Sequence, residues 1–393
     1  MGVDRVSAGY QKQLVSNLVV EFSRVYDGAP EGCYVAPGRA NLIGEHLDYN
    51  NGKCLPMALP HATYAAMSTR RDGLIRVTSR QQERPWQGTL AGLGPGQVDG
   101  WPSYVAGVVW AMREQGHDVP GLDIVVDSLV PVGAGLSSSA ALECSVAVGI
   151  CDLLGIELTD AVRRDLVTAC VRAETEVAGA PTGGMDQTIA LFATAGHALL
   201  LDCRDWSTEQ VPWDPTGLLL LVIDTRAEHR LTDGGYAARR ADCEAAAKVL
   251  GVSSLREVNE PEAALASIED ERVRRRARHA FTEMARVDLA VEELRRRDFA
   301  ALGRTFHASH VSLRDDFEVS CEELDVAVSV SEDAGALGAR MTGGGFGGSA
   351  IALVPSDGVD SASEAVAAAF SEHGFKPPVF LLAEPSAGAR RIT

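Results

Sequence analysis

The chain has 393 residues, 46% of them hydrophobic, enough for one to three packed domains of a globular protein. Its formal net charge of −18 argues against nucleic acid and anionic membrane as partners. No charged segment followed by an apolar one opens the sequence, and the most apolar runs, such as Leu218 to Ile223, are too short to span a bilayer. Eight scattered cysteines follow neither disulfide nor zinc spacing, so a cytoplasmic protein with reduced thiols is expected.

In chain order, periodicity predicts an amphipathic helix over residues 7–27, then strands at 33–36, 54–59, 62–68 and 74–78. A helix is predicted at 101–114, a strand at 122–126, and helices at 137–154 and 160–178 with a Thr159 or Asp160 cap between them. Strands at 198–202 and 218–224 precede a helix-rich stretch from 234 to 334. Strands at 339–341 and 349–354, a helix near 358–373 and a strand at 379–382 close the pattern. Mixed helices and strands without strict alternation predict an α+β protein of two domains, 1–200 and 201–393. Two arginine runs, 272–278 and 295–297, lie among Glu271, Glu292, Glu293 and Asp298 and read as a solvated helix face laced with ion pairs.

Four segments carry candidate chemistry. Val35 to Asn50 packs Arg39, Glu45, His46, Asp48 and Tyr49 between Pro, Gly and Asn, the composition of a rigid loop that aims polar groups at a ligand. Pro131-Val-Gly-Ala-Gly-Leu-Ser-Ser-Ser-Ala-Ala141 follows a predicted strand and opens a helix. Its glycines, serine cap and helix dipole suit a phosphate, although a glycine-rich turn with an ordinary cap has the same letters. Gly183-Gly-Met-Asp186-Gln187 places a carboxylate at a helix start, where taken alone it reads as a cap. Gly343-Gly-Gly-Phe-Gly-Gly348 satisfies GxGxxG, but too little chain follows for a dinucleotide-binding unit. His307 and His310 have metal-compatible spacing without a supporting acid and read as ordinary helix residues.

The first segment resembles the galactokinase signature "GRxNLIGEHTDYNxG", with Leu47 where Thr is usual. Residues 133–140 match the "PxGxGLSSSA" ATP loop of GHMP kinases, and 343–348 resemble the third GHMP motif. Residues 183–187 resemble "GIMDQ", with Gly184 in place of Ile, and Ala173-Glu174-Thr175 resembles "AEN". The resemblance covers residues 33–240 and 337–354 and points to the sugar-kinase branch of that superfamily. It implies a ribosomal-protein-S5-like N-terminal domain, a ferredoxin-like C-terminal domain and an active site in the cleft between them.

The implied reaction is ATP-dependent phosphorylation of the anomeric hydroxyl of α-D-galactose, the first step of the Leloir pathway. By the same resemblance Asp186 is the base, with Arg39 beside it and the γ-phosphate. Gly133, Ala134, Gly135, Leu136, Ser137, Ser138 and Ser139 hold ATP, with Trp101 near adenine and Ser79 touching the nucleotide. Ser139 and Glu174 hold Mg²⁺. Glu45, His46, Leu47, Asp48, Gly183 and Tyr236 select the sugar. Galactose and ATP are the expected partners of a monomer, with a weak homodimer as the other possibility. The alternatives are a kinase for N-acetylgalactosamine, arabinose or a galactose analogue, or a sugar sensor that has lost catalysis.

Overall fold

The computed structural model describes residues 2–227 and 234–393. It opens with α1 (Ala8–Tyr26), whose Ser7 cap accepts the Tyr10 N–H at 3.2 Å. Strands β1 (Gly32–Asn41), β2 (Lys53–Cys54), β3 (Pro56–Arg70), β4 (Leu74–Ser79) and β5 (Trp86–Thr89) follow. Next come α2 (Pro102–Glu114), β6 (Gly121–Ser128), α3 (Ser138–Leu153), α4 (Asp160–Arg172) and α5 (Met185–Phe192). After β7 (His197–Asp202), β8 (Ser207–Pro212) and β9 (Leu218–Asp224) lie α6 (Gly235–Leu250), α7 (Pro261–Ser267), α8 (Glu271–Arg296), α9 (Phe299–Ser312) and α10 (Glu322–Asp333). The chain closes with β10 (Gly338–Thr342), β11 (Ser349–Pro355), α11 (Val359–Glu372), β12 (Val379–Ala383) and β13 (Arg390–Arg391).

A six-stranded sheet, ordered β13-β1-β3-β6-β4-β5, packs against helices on both faces of its central strands. Strand alternation explains how: Cys33 and Val35 of β1 pack with Leu14, Leu18 and Phe22 of α1, while Tyr34 and Ala36 turn to the layer formed by α2, α3 and α4. The predicted strands 54–59 and 62–68 are largely one long strand, β3. Its Pro60 is tolerated because it lies opposite the register break between Pro37 and Arg39 of β1, where no ladder bond is demanded.

The second sheet runs β10-β11-β9-β12, every pair antiparallel. With helices between β9 and β10 and α11 between β11 and β12, this is the ferredoxin-like order. A three-stranded sheet, β2-β7-β8, joins the halves. The last strand crosses back: β13 pairs with β1, so the tail beyond residue 383 packs with the first sheet, although it falls within the expected 201–393 segment.

Two expectations need refinement. The helix over 160–178 is α-helical only to Arg172, after which Ala173–Val177 form a π turn. The arginine runs do form ion pairs on α8, such as Arg278 with Asp316 at 2.8 Å, but Arg276 is fully buried against the Asp316 carbonyl and the Glu318 carboxylate. His307 lies 2.9 Å from Glu332, and His310 Nδ1 accepts the Met341 N–H at 3.3 Å.

Helix α9 meets β10 backbone to backbone: a Cβ on Gly338 would sit 2.0 Å from the Gly303 carbonyl oxygen. Gly338→Ala is therefore expected to cost about 1–3 kcal/mol as the layers are forced apart. A urea midpoint equal to that of the parent would contradict this approach.

Candidate active site

Beyond the β1 break, Arg39 reaches into the junction of the two halves. Its Nε and Nη2 each donate to the Asp186 carboxylate at 2.9 Å, and its Nη1 donates to the Gly135 carbonyl. Asp186 is the second residue of α5, close to the positive end of the helix dipole. The Ser137 hydroxyl, on a residue with φ +60°, also donates to it. One carboxylate thus gathers β1, the 133–139 loop and α5.

Glu174 occupies the π turn, a local widening that often marks functional positions. It accepts from the Ser139 hydroxyl at 2.9 Å and from the Gln187 amide at 2.6 Å; the same amide lies 3.1 Å from the fully buried Glu143. Burial pushes Glu174 up to about 7, opposed by the Ser139 hydrogen bond and reinforced by the nearby Asp186 charge.

The third glycine segment docks against this assembly. A Cβ on Gly343, whose φ is +87°, would lie 3.0 Å from the Gly135 carbonyl oxygen, so only glycine permits the approach. Asn41 and Thr342 exchange hydrogen bonds of 3.0 and 2.9 Å across the same junction. Beneath them, Arg340 is wholly buried and donates to the Glu45 carboxylate and the Leu42 carbonyl, while the Gly343 N–H donates to the other Glu45 oxygen at 3.2 Å.

Two cavities result. The first, about 130 Å³, is lined by Arg39, Glu45, His46, Asp48, Gly183, Asp186, Tyr236 and Gly343, among others. Asp48 is pushed up to about 6, chiefly by burial and further by repulsion from Asp186. His46 is pushed down to about 3 by burial, so its ring is neutral; it lies 2.9 Å from the Tyr49 hydroxyl and packs against the Tyr236 ring. A Cβ on Gly183 would stand 2.0 Å from an Asp48 oxygen. The second cavity, about 180 Å³, is lined by Ser79, Trp101, Tyr104, Ser138 and Ser139 with neighbouring residues.

Most of the expected site residues therefore converge, with informative exceptions. Leu47 faces the core, not the cavity: it is fully buried beneath Gly52. Glu45 lines the cavity with both oxygens already committed. Ala134 and Leu136 bury their side chains, leaving only backbone to face a ligand; Gly133 and Gly135, both at positive φ, shape the loop without lining the second cavity. Sequence reasoning missed Glu143, which lies inside the helix opened by the serine-rich loop, and Arg340, which stands three residues before the glycine run. Their signal was a charge in an otherwise apolar element.

Three family models match the chain: the galactokinase galactose-binding signature at residues 20–69, the GHMP kinases N-terminal domain at 103–194 and the GHMP kinases C-terminal model at 290–372. A galactokinase of Streptomyces coelicolor is 49% identical over 377 residues, 94% of this chain and 97% of the relative. The crystal structure of Lactococcus lactis galactokinase complexed with galactose superposes with a TM-score of 0.91 at 32% identity, over 96% of this chain and all of that one. Mevalonate kinase of Methanococcus jannaschii, at 15% identity and a TM-score of 0.67 over 91% of this chain and 99% of its own, shares the fold.

Removing the buried guanidinium in Arg340→Met would strand the Glu45 charge in the interior. A loss of about 3–5 kcal/mol is expected in chemical denaturation. Adding Glu45→Gln should recover much of it, and failure to recover would mean that Arg340 acts through other contacts.

Proposed function

The chain belongs to the galactokinase family of GHMP kinases, and we propose that it transfers the γ-phosphoryl group of ATP to the anomeric hydroxyl of α-D-galactose, yielding galactose 1-phosphate and ADP. The observation that carries this reading is the Arg39–Asp186 pair on the wall of the first cavity. The Ser137 hydroxyl ties it to the loop whose next two serines line the second.

The anomeric hydroxyl is a weak nucleophile. As its oxygen bonds to the γ-phosphorus and the bridging bond to ADP breaks, its proton passes to Asp186. Arg39 holds that carboxylate in one orientation and offsets charge on the transferring oxygens. The N–H groups of residues 133–139, at the start of α3, bind the phosphates, while Trp101 and Ser79 frame the nucleotide. Ser139 and Glu174 present adjacent oxygen donors, the set a hard cation takes when phosphates and water supply the rest; Mg²⁺ there would neutralise the β- and γ-phosphates. Asp48, His46, Gly183 and Tyr236 frame the sugar, and Glu45 braces the loop that bears them.

Galactose is favoured over other sugars because the three departures from the family pattern lie off the first cavity. Leu47 is in the core, Thr175 is exposed with its hydroxyl on the Val171 carbonyl at 2.7 Å, and Gly184 faces a neighbouring opening. The domain division falls near residue 200, with the final strand returned to the first domain. Its setting is the cytoplasm.

Asp186→Asn keeps volume and removes the proton acceptor. Turnover is expected to fall by about 10² to 10⁴, with galactose affinity changed by less than about tenfold in calorimetry. Near-native turnover would remove Asp186 as the base. Phosphorus NMR of the wild-type product should place the ester on the anomeric oxygen.

Asp48 gives a pH signature. Its raised value means that the free protein holds it neutral below about 6, and the ionised form is the better acceptor for sugar hydroxyls. Galactose affinity should therefore rise with pH up to about 6, by at most about tenfold per unit, and then level off. Asp48→Asn should flatten the profile, and a slope surviving that change would place the titrating group elsewhere.

A further inference from the structure

Gly183 borders not only the sugar cavity but also a larger one of about 390 Å³ beside it, a size typical of small-molecule sites. Val167, Thr168 and Val171 of α4 form one wall, Phe192 at the end of α5 another, and Trp206, from the turn between β7 and β8, a third. Trp206 is held at φ +59° by that turn and, among the described residues, leaves 39% of its surface open, a large apolar side chain only partly covered. Among the described residues no carboxylate lines this space.

Its two cations differ. Arg172 is committed, donating to Glu176 at 2.7 Å and lying over the Trp110 ring at 4.6 Å. Arg164 has no carboxylate partner among the described residues, and its guanidinium lies 6.0 Å from the centre of the Phe192 ring. Apolar and aromatic walls with one uncommitted positive charge at the rim match a flat ring bearing a single negative charge. A nucleotide or sugar phosphate would bring more charge than one arginine can offset.

The cavity also touches the catalytic machinery. Gly184, in its wall, caps α5 two residues before Asp186, and the Thr188 hydroxyl binds the Gly184 carbonyl at 2.7 Å. A Cβ at Gly184 would already lie 3.1 Å from the Trp206 ring, so a ligand seated there bears directly on the start of this helix.

We propose that this cavity binds a planar aromatic monoanion, with its ring against Phe192 and Trp206 and its charge on Arg164, and that its occupancy alters galactose affinity at the neighbouring site. The binding half stands apart from the kinase reading; the regulatory half rests on it.

The test titrates 2-naphthoate into the full chain by calorimetry, with 2-naphthylmethanol as the neutral isostere. Saturable binding is expected, undiminished by saturating ATP and weakened about tenfold or more by Arg164→Met. Thr168→Trp should fill the space and abolish binding, while both variants keep their circular dichroism and their galactose affinity. Bound naphthoate should change the calorimetric galactose affinity by about fivefold, in either direction. Failure of naphthoate to bind, equal binding of the alcohol, displacement by ATP, or indifference to both variants would overturn the site. An unchanged galactose affinity with naphthoate bound would overturn the regulatory half. Absence of phosphorylated product with galactose and Mg-ATP would instead count against the kinase reading.

Discussion

The site depends on one guanidinium. Arg39 sits where a strand of the first sheet breaks register, and its five donors allow it to hold the Asp186 carboxylate and the Gly135 carbonyl together. Lysine, a point charge, has no such planar fork. The residue is 7% exposed, so its interactions are scarcely diluted by water. Without it the 133–139 loop and the start of α5 would lose their common reference.

A second buried arginine does the same for the scaffold. Arg340 holds the Glu45 carboxylate and the Leu42 carbonyl, locking the first motif to the sheet of the second half. Glu283 extends this network: it is fully buried and held down to about 2, its burial outweighed by Arg286, Arg340 and His279. Such a core derives its orientation from geometry more than from net stability, since two desolvated charges return little beyond what they cost to bury. The loop bearing His46, Asp48 and Tyr49 is consequently presented as a rigid wall.

The sequence was most legible where periodicity or a motif spanned many residues. Helices α1, α2 and α3 and strands β6 and β9 were found within a residue or two, because their apolar spacing has no competing reading. Strands β5 and β8 escaped because they are short edges whose exposed or polar residues, such as Glu209 and Gln210, leave little apolar alternation to read. The π turn after Arg172 leaves no trace in propensity, since it answers to what Glu174 must meet across the site. Leu47 was misplaced for a related reason: membership of a ligand-binding loop does not fix which way each side chain turns. Here the tight return from Asp48 to Gly52 sends it inward. Arg340, just ahead of the glycine run, was given no role, since pairing with a residue nearly three hundred positions away is a property of the folded chain.

The return of the last strand to the first sheet bears on how the molecule comes into being. β1 is made long before its partner β13, so the first sheet keeps an unpaired edge until that later stretch has left the ribosome. Arg340 and the glycines that close the site likewise come long after β1. A partly made chain therefore exposes a nascent edge, and the site is assembled only after β10 and the glycine run behind it have been made.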